Sequence, residues 1–259
     1  MTGVVTDIGG GGPWFSVPVP KPAARLRLFC LPYAGGGASA YFAWSRALAD
    51  TPIEVCAVQP PGRENRLREA PYRDITSLVT SLASAIRPLL DRPYAIFGHS
   101  MGALIAFELT RLLRDEGTAL PSHLFMSGAR APDIASDEAP LHPIADDDAF
   151  LGAVASRYGG IPAIVLENAE LRGVILPALR ADMTVTESYA YRTTEPFPVD
   201  LAAYGGSADR HVGDDRLERW RDRTTGTFES RRFEGDHFFL NDSRSALVAD
   251  VAARLGRYL

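Results

Sequence analysis

The most constraining feature of this chain is a strand that turns into a helix through a serine. Tyr94 to Phe97 reads YAIF, then comes Gly98-His99-Ser100-Met101-Gly102, then the run ALIAFELTRLLRDEG closed by Gly117. A short apolar run reads as a buried strand, and the helical apolar spacing after it reads as an amphipathic helix. A chain passing so abruptly from one to the other must turn sharply, which pushes the serine hydroxyl out above the sheet edge, while the flanking glycines give the crowded turn room. The G-x-S-x-G pattern alone carries little, since with glycine at about 7% of residues a chain of this length holds one by chance about one time in ten. Context gives it weight. Read blandly, the pentapeptide is a tight connection with a capping serine. Read chemically, it sets a hydroxyl at the amino end of a helix, where the unpaired Met101 N–H can stabilise an oxyanion.

Around this elbow the chain alternates. Leu26 to Leu31 reads as a strand entering the turn-rich Pro32 to Gly37, with a helix over Ser39 to Ala49. Ile53 to Val58 is a strand stopped by Pro60-Pro61-Gly62, and Asp74 to Leu90 has helical spacing. His123 to Ser127, Val199 to Tyr204 and Thr227 to Phe233 read as further strands. Strands alternating with helices predict an α/β fold with a mostly parallel central sheet flanked by helices. The alternation breaks over 131–184, where apolar spacing predicts a helical insertion able to fold as a lid over the carboxyl ends of the strands, the edge at which such sheets bind ligands. The expected organisation is a flexible N-terminal tail over 1–23, a core of 24–130 and 185–259, and the lid at 131–184.

A serine hydroxyl is a poor nucleophile near neutral pH and needs a base, a role best matched by histidine. Of the five histidines, His99 lies inside the elbow and points away from Ser100, His123 enters a strand, His142 belongs to the insertion, and His211 follows a strand at a distance. His237, in the loop Glu234-Gly-Asp-His-Phe-Phe239 after the last strand, reaches the same sheet edge as the elbow and is the best base. The orienting carboxylate should lie between serine and histidine in the chain. Asp209 arrives through a glycine turn after the next-to-last strand, the usual delivery in sheets of this kind, and Asp133 after His123 to Ser127 is its rival. The second oxyanion donor is expected from Tyr33-Ala34-Gly35-Gly36, and Ala34 N–H is the choice. No metal-ligand cluster and no dinucleotide-binding glycine spacing is present.

Composition narrows the partners. At 46% hydrophobic and 23% charged residues, the 259-residue chain is not disordered as a whole. A net charge of −5 disfavours nucleic acid and anionic membrane surfaces, with Arg219 to Arg223 as a local basic exception. Cys30 and Cys56, each in an apolar run, read as reduced buried thiols. With neither a signal peptide nor a spanning segment in view, a soluble cytoplasmic monomer is expected.

Together LPYAGGGASAYFAWS, QPPGRENR, GHSMGALIAFEL, LPALRADM and the terminal DHFFL resemble the type II thioesterases of polyketide and non-ribosomal peptide synthases, over about residues 14–257. The resemblance implies the α/β-hydrolase fold and hydrolysis of aberrant or stalled acyl groups from the phosphopantetheine arm of acyl or peptidyl carrier proteins, without a cofactor. It puts the nucleophile on Ser100, the base on His237, the acid on Asp209 and the oxyanion donors on Met101 and Ala34. Asp236 departs from the glycine common before the family's histidine, and either raises the imidazole pKa or faces solvent. Arg63, Arg66 and Arg68 are candidates for a basic rim that docks an acidic carrier protein. A general carboxylesterase or lipase, or a catalytically silent ligand-binding scaffold, are the alternative readings.

Overall fold

The computed structural model describes residues 12–259. In chain order its first half contains β1 (Phe15–Ser16), β2 (Leu26–Leu31), α1 (Phe42–Ala47), β3 (Ile53–Val58), α2 (Ile75–Ile86), β4 (Tyr94–His99), α3 (Met101–Asp115) and β5 (His123–Ser127). Then follow α4 (Asp147–Tyr158), α5 (Ala163–Glu167), α6 (Ala169–Glu187), β6 (Asp200–Gly206), α7 (Asp214–Glu218), β7 (Phe228–Phe233), α8 (Phe239–Asp242) and α9 (Arg244–Leu255). The strands form one seven-stranded sheet in the order β1-β3-β2-β4-β5-β6-β7. From β3 across to β7 every pairing is parallel, and β1 runs antiparallel along β3.

Every residue of β2, β3, β4 and β5 is buried, as expected of parallel strands covered on both faces. Successive side chains alternate between faces, so Phe29 and Ile96 join one core with Phe107 and Trp220, while Leu28 and Phe97 join the other with Trp44 and Phe125. A third, smaller core of Phe150, Leu151, Leu176, Leu179 and Met183 holds α4 to α6. Local capping sets where helices begin. The Asp74 carboxylate accepts from Ser77 N at 2.8 Å and Asp146 from Ala149 N at 2.8 Å, each satisfying a donor that the first turn leaves free.

Several expectations need correction. Residues 1–11 of the expected tail lie outside the described residues. From Gly12 onward the tail is instead docked on the sheet: Trp14, Phe15 and Val17 are buried, and β1 pairs Phe15 with Val58. Two residues of strand are too short for an alternation to show in sequence. The helix expected from Ser39 begins as a 3-10 turn at Ala38–Tyr41 before α1, and the one expected to Leu90 gives way at Ile86 to a second such turn. Pro88 within that turn lacks the N–H an α-helix needs. Among the described residues, no helix is long and apolar enough to cross a membrane.

Candidate active site

Parallel strands deliver their following loops to one edge, and here β2, β4, β5, β6 and β7 bring Ala34, Ser100, Arg130, Asp209 and His237 there. The elbow after β4 is tight. A Cβ on Gly98 would lie 2.2 Å from Gly102 O, and one on Gly102 would lie 2.2 Å from Leu31 O, so both positions require glycine. Ser100 has φ of 54°, a conformation costing about 1–3 kcal/mol for a non-glycine residue and sustained only when the surroundings enforce it. The enforcing contacts are the two glycines and the Ser100 N–H, which donates to Ser127 O at 2.7 Å.

His237 Nε2 lies 3.1 Å from Ser100 Oγ, and His237 Nδ1 lies 2.9 Å from Asp209 Oδ2. The line serine, imidazole, carboxylate needs the tautomer with the proton on Nδ1, leaving Nε2 to accept from the hydroxyl. Asp209 and His237 are each only 5% exposed. Burial alone would raise the Asp209 carboxyl, but the hydrogen bond and charge of His237 and the His211 N–H at 2.9 Å outweigh it and hold it below its usual value. Asp209 therefore stays ionised beside the imidazole.

The rival acid sits elsewhere: Asp133 pairs with Arg219 at 3.2 Å and Arg223 at 3.6 Å. Those contacts also neutralise much of the basic run 219–223, whose Arg221 pairs with Glu218. His99 is fully buried and turned to Ser127 Oγ at 2.9 Å, and burial, reinforced by His237, lowers its pKa to about 3. His123 stacks on Phe125, and His142 contacts Glu187 at 2.9 Å. Asp236 is exposed and folds back to accept from Phe238 N at 2.7 Å, so it shapes the loop and faces solvent. Among the described residues, neither Met101 N–H nor Ala34 N–H meets a hydrogen-bond acceptor in the protein, and the Ala34 loop lines the same cavity as Ser100.

Two arginines expected on a docking rim are not on the surface. Arg63 is 6% exposed and grips Asp182 of α6 through both terminal nitrogens, while also donating to Gly36 O at 3.1 Å. Asp182 in turn accepts from Gly35 N at 2.7 Å. Arg66 is also buried, against Glu69 and over the Trp14 ring, and of the three only Arg68 is exposed. The Arg63–Asp182 clamp was missed although both partners stand in the quoted motifs QPPGRENR and LPALRADM, because spacing in sequence cannot reveal a contact across 119 positions.

Two cavities meet at Ser100 and His237. One, of about 360 Å³, runs beneath α4 and α6 and is lined by Val154, Ile161, Ile175, Leu179 and Met183. The other, of about 530 Å³, lies on the β5 side and is rich in charged groups. Tyr158, its ring centroid 5.3 Å from that of His237, lines both. Among the described residues, no group of three or more His, Cys, Asp or Glu is placed to hold a metal ion.

A hydroxyl, imidazole and carboxylate in hydrogen-bonded sequence at the carboxyl edge of a parallel sheet define a serine hydrolase of the α/β-hydrolase fold. The chain belongs to the thioesterase domain family, whose model matches residues 26–255. It is 43% identical to the gramicidin S biosynthesis protein GrsT of Aneurinibacillus migulanus, over 97% of each chain. Among solved structures it is similar to RedJ, a thioesterase from the prodiginine biosynthetic pathway in Streptomyces coelicolor, with a TM-score of 0.83, 40% identity and coverage of 91% of this chain and 88% of that one. YbtT, a type II thioesterase from the yersiniabactin NRPS/PKS pathway, matches with a TM-score of 0.80, 30% identity and coverage of 93% and 96%.

Proposed function

We propose that this chain is a type II thioesterase that clears aberrant or stalled acyl groups from the phosphopantetheine arm of acyl or peptidyl carrier proteins in the cytoplasm, acting as a monomer. The observation that carries the chemistry is the unbroken hydrogen-bonded line from Ser100 through His237 to Asp209. Full-length similarity to thioesterases of peptide and polyketide pathways supports the substrate class.

In this reading Ser100 Oγ attacks the thioester carbonyl while His237 Nε2 takes its proton. The carbonyl oxygen becomes an oxyanion held by the N–H groups of Met101 and Ala34, donors fixed before reaction that need no reorganisation. The C–S bond breaks, His237 returns its proton to the leaving thiolate, and an acyl-serine remains. Water attacks that ester with His237 again as base, and the collapse releases a free acid and restores the Ser100 hydroxyl. No cofactor enters. Asp209 keeps the imidazole in the working tautomer and stabilises its cationic form. The segment 131–184 serves as the lid, and its cavity beneath α4 and α6 takes an apolar acyl chain.

The test compares hydrolysis of an acyl-carrier-protein thioester, the matching acyl-N-acetylcysteamine thioester and a p-nitrophenyl ester by the wild type and by Ser100→Ala. Preferential cleavage of the carrier-bound thioester, lost in Ser100→Ala, is the expected result. Cleavage of the oxygen ester alone would make the chain a general esterase, and failure of a fluorophosphonate to label Ser100 would make it a silent scaffold.

A further inference from the structure

Among the described residues, the cavity on the β5 side contains one guanidinium that forms no salt bridge. Most charged groups lining it are already paired: Asp133 with Arg219 and Arg223, Glu138 and Glu187 with Arg157, and Arg216 with Asp137. Arg130 differs. Its Nε donates to Ile134 O at 2.8 Å, and among the described residues its terminal nitrogens have no partner and no carboxylate forms a salt bridge with it. The side chain is half-buried on the cavity wall, and burial lowers the pKa of its guanidinium, the sign of a cation short of stabilising contacts.

Its placement is fixed by the elbow. Gly128, immediately after β5, has φ of 59°, and a Cβ there would lie 2.6 Å from the His99 ring. The turn carrying Arg130 is thus packed against the residue that precedes the nucleophile. The cavity it faces opens onto Ser100 and His237. A guanidinium presents a planar fork suited to two oxygens of one carboxylate or phosphate, and its hydrogen bonds to an anion are about twice as strong as neutral ones.

We propose that Arg130 is a substrate-binding residue that holds an anionic oxygen group of the thioester in the cavity on the β5 side of Ser100. The proposal rests on the thioesterase reading for the identity of its ligand. Two parts of a carrier-bound thioester supply the chemistry: the phosphate at the far end of the pantetheine arm, and a carboxylate on a dicarboxylic acyl chain.

The experiment measures binding by calorimetry in the Ser100→Ala background, so that it does not depend on turnover. One pair of probes is 4′-phosphopantetheine against pantetheine, and the other is succinyl- against butyryl-N-acetylcysteamine. With Arg130 present, the anionic member of one pair should bind at least about tenfold more tightly than its neutral partner, the size expected of a charge-assisted hydrogen bond. Arg130→Gln should erase that preference and Arg130→Lys, which keeps the charge without the fork, should retain part of it. A preference in the first pair assigns the arm phosphate, and one in the second assigns an acyl carboxylate. Equal ratios with and without Arg130 in both pairs overturn the proposal. Thermal melting of each variant checks folding, and Arg130→Lys carries the same comparison if the Gln variant is unstable. A wild type that cleaves no thioester overturns the proposed function while the binding ratios still decide the role of Arg130.

Discussion

Ser100 carries the steepest expectation. Removing the nucleophile of a working triad costs about 10⁶-fold in kcat, so Ser100→Ala should show no turnover of any thioester while melting at or above the wild-type temperature, because alanine keeps the small side chain the elbow needs. Unfolding of this variant would make Ser100 structural. Asp209→Asn leaves a hydrogen-bonding side chain but favours the wrong imidazole tautomer, and kcat should fall about 10³- to 10⁴-fold with KM little changed. An unchanged kcat would remove Asp209 from the mechanism. The grouping of Ser100, His237 and Asp209 was legible in sequence because each lies just past a strand end, where topology dictates which edge it reaches. Arg130 was not legible, since an arginine after a strand is ordinary. Among the described residues it is set apart by lacking a salt bridge while half-buried in the wall of the cavity at Ser100, and that is a property of the packed cavity.

At the scale of elements, the clamp between Arg63 and α6 joins the helical insertion to the glycine loop that presents Ala34. Replacing Asp182 by Asn leaves a buried guanidinium without its counter-charge, which destabilises by about 3–5 kcal/mol when a buried pair is broken. The same change weakens the anchor of Gly35 N–H. Asp182→Asn should therefore lower kcat more than it raises KM, and denaturant titration should show the stability loss. A stability loss with kcat intact would make the clamp purely structural. Gly160 gives a second element-scale expectation. Its φ is 74°, and a Cβ there would lie 2.2 Å from the Phe238 ring beside His237. Gly160→Ala should displace that ring and reduce kcat/KM about tenfold, near the effect of a small misplacement of reacting groups. Helices α2, α3 and α6 were legible from periodicity and α1 fell within the helix expected over Ser39 to Ala49, whereas the docked segment from Trp14 was not legible. That segment is too short for a period to register, and it is fixed by burial of the Trp14 and Phe15 rings.

For the molecule as a whole, buried histidines contribute to the loss of stability in acid. His99 has its pKa lowered to about 3 and His123 to about 4, in both cases chiefly by burial. A folded-state value below the unfolded one of about 6.5 means that unfolding takes up a proton. The stability these neutral rings contribute is complete above about pH 6.5 and is lost as pH falls toward the folded values. Each should steepen the loss by about 1.4 kcal/mol per pH unit within that window. In His123→Phe, which retains an aromatic ring against Phe125, urea titrations between pH 6 and 4 should show a slope shallower by about that amount. An identical slope would mean that His123 titrates alike in both states.

Among the described residues, the two margins of the sheet are guarded in different ways. On one side β1 is two residues long and pairs with Ala57 and Val58 at the end of β3, a stub too short to template another strand. On the other, β7 carries Glu229, Arg231 and Arg232, of which the first two are tied to α9 by Arg254 and Asp250. Any second chain approaching that margin would have to dismantle these ion pairs and desolvate their charges. A sheet guarded this way discourages strand exchange with neighbouring chains, while the loop-bearing edge where Ser100 opens is left clear of both margins.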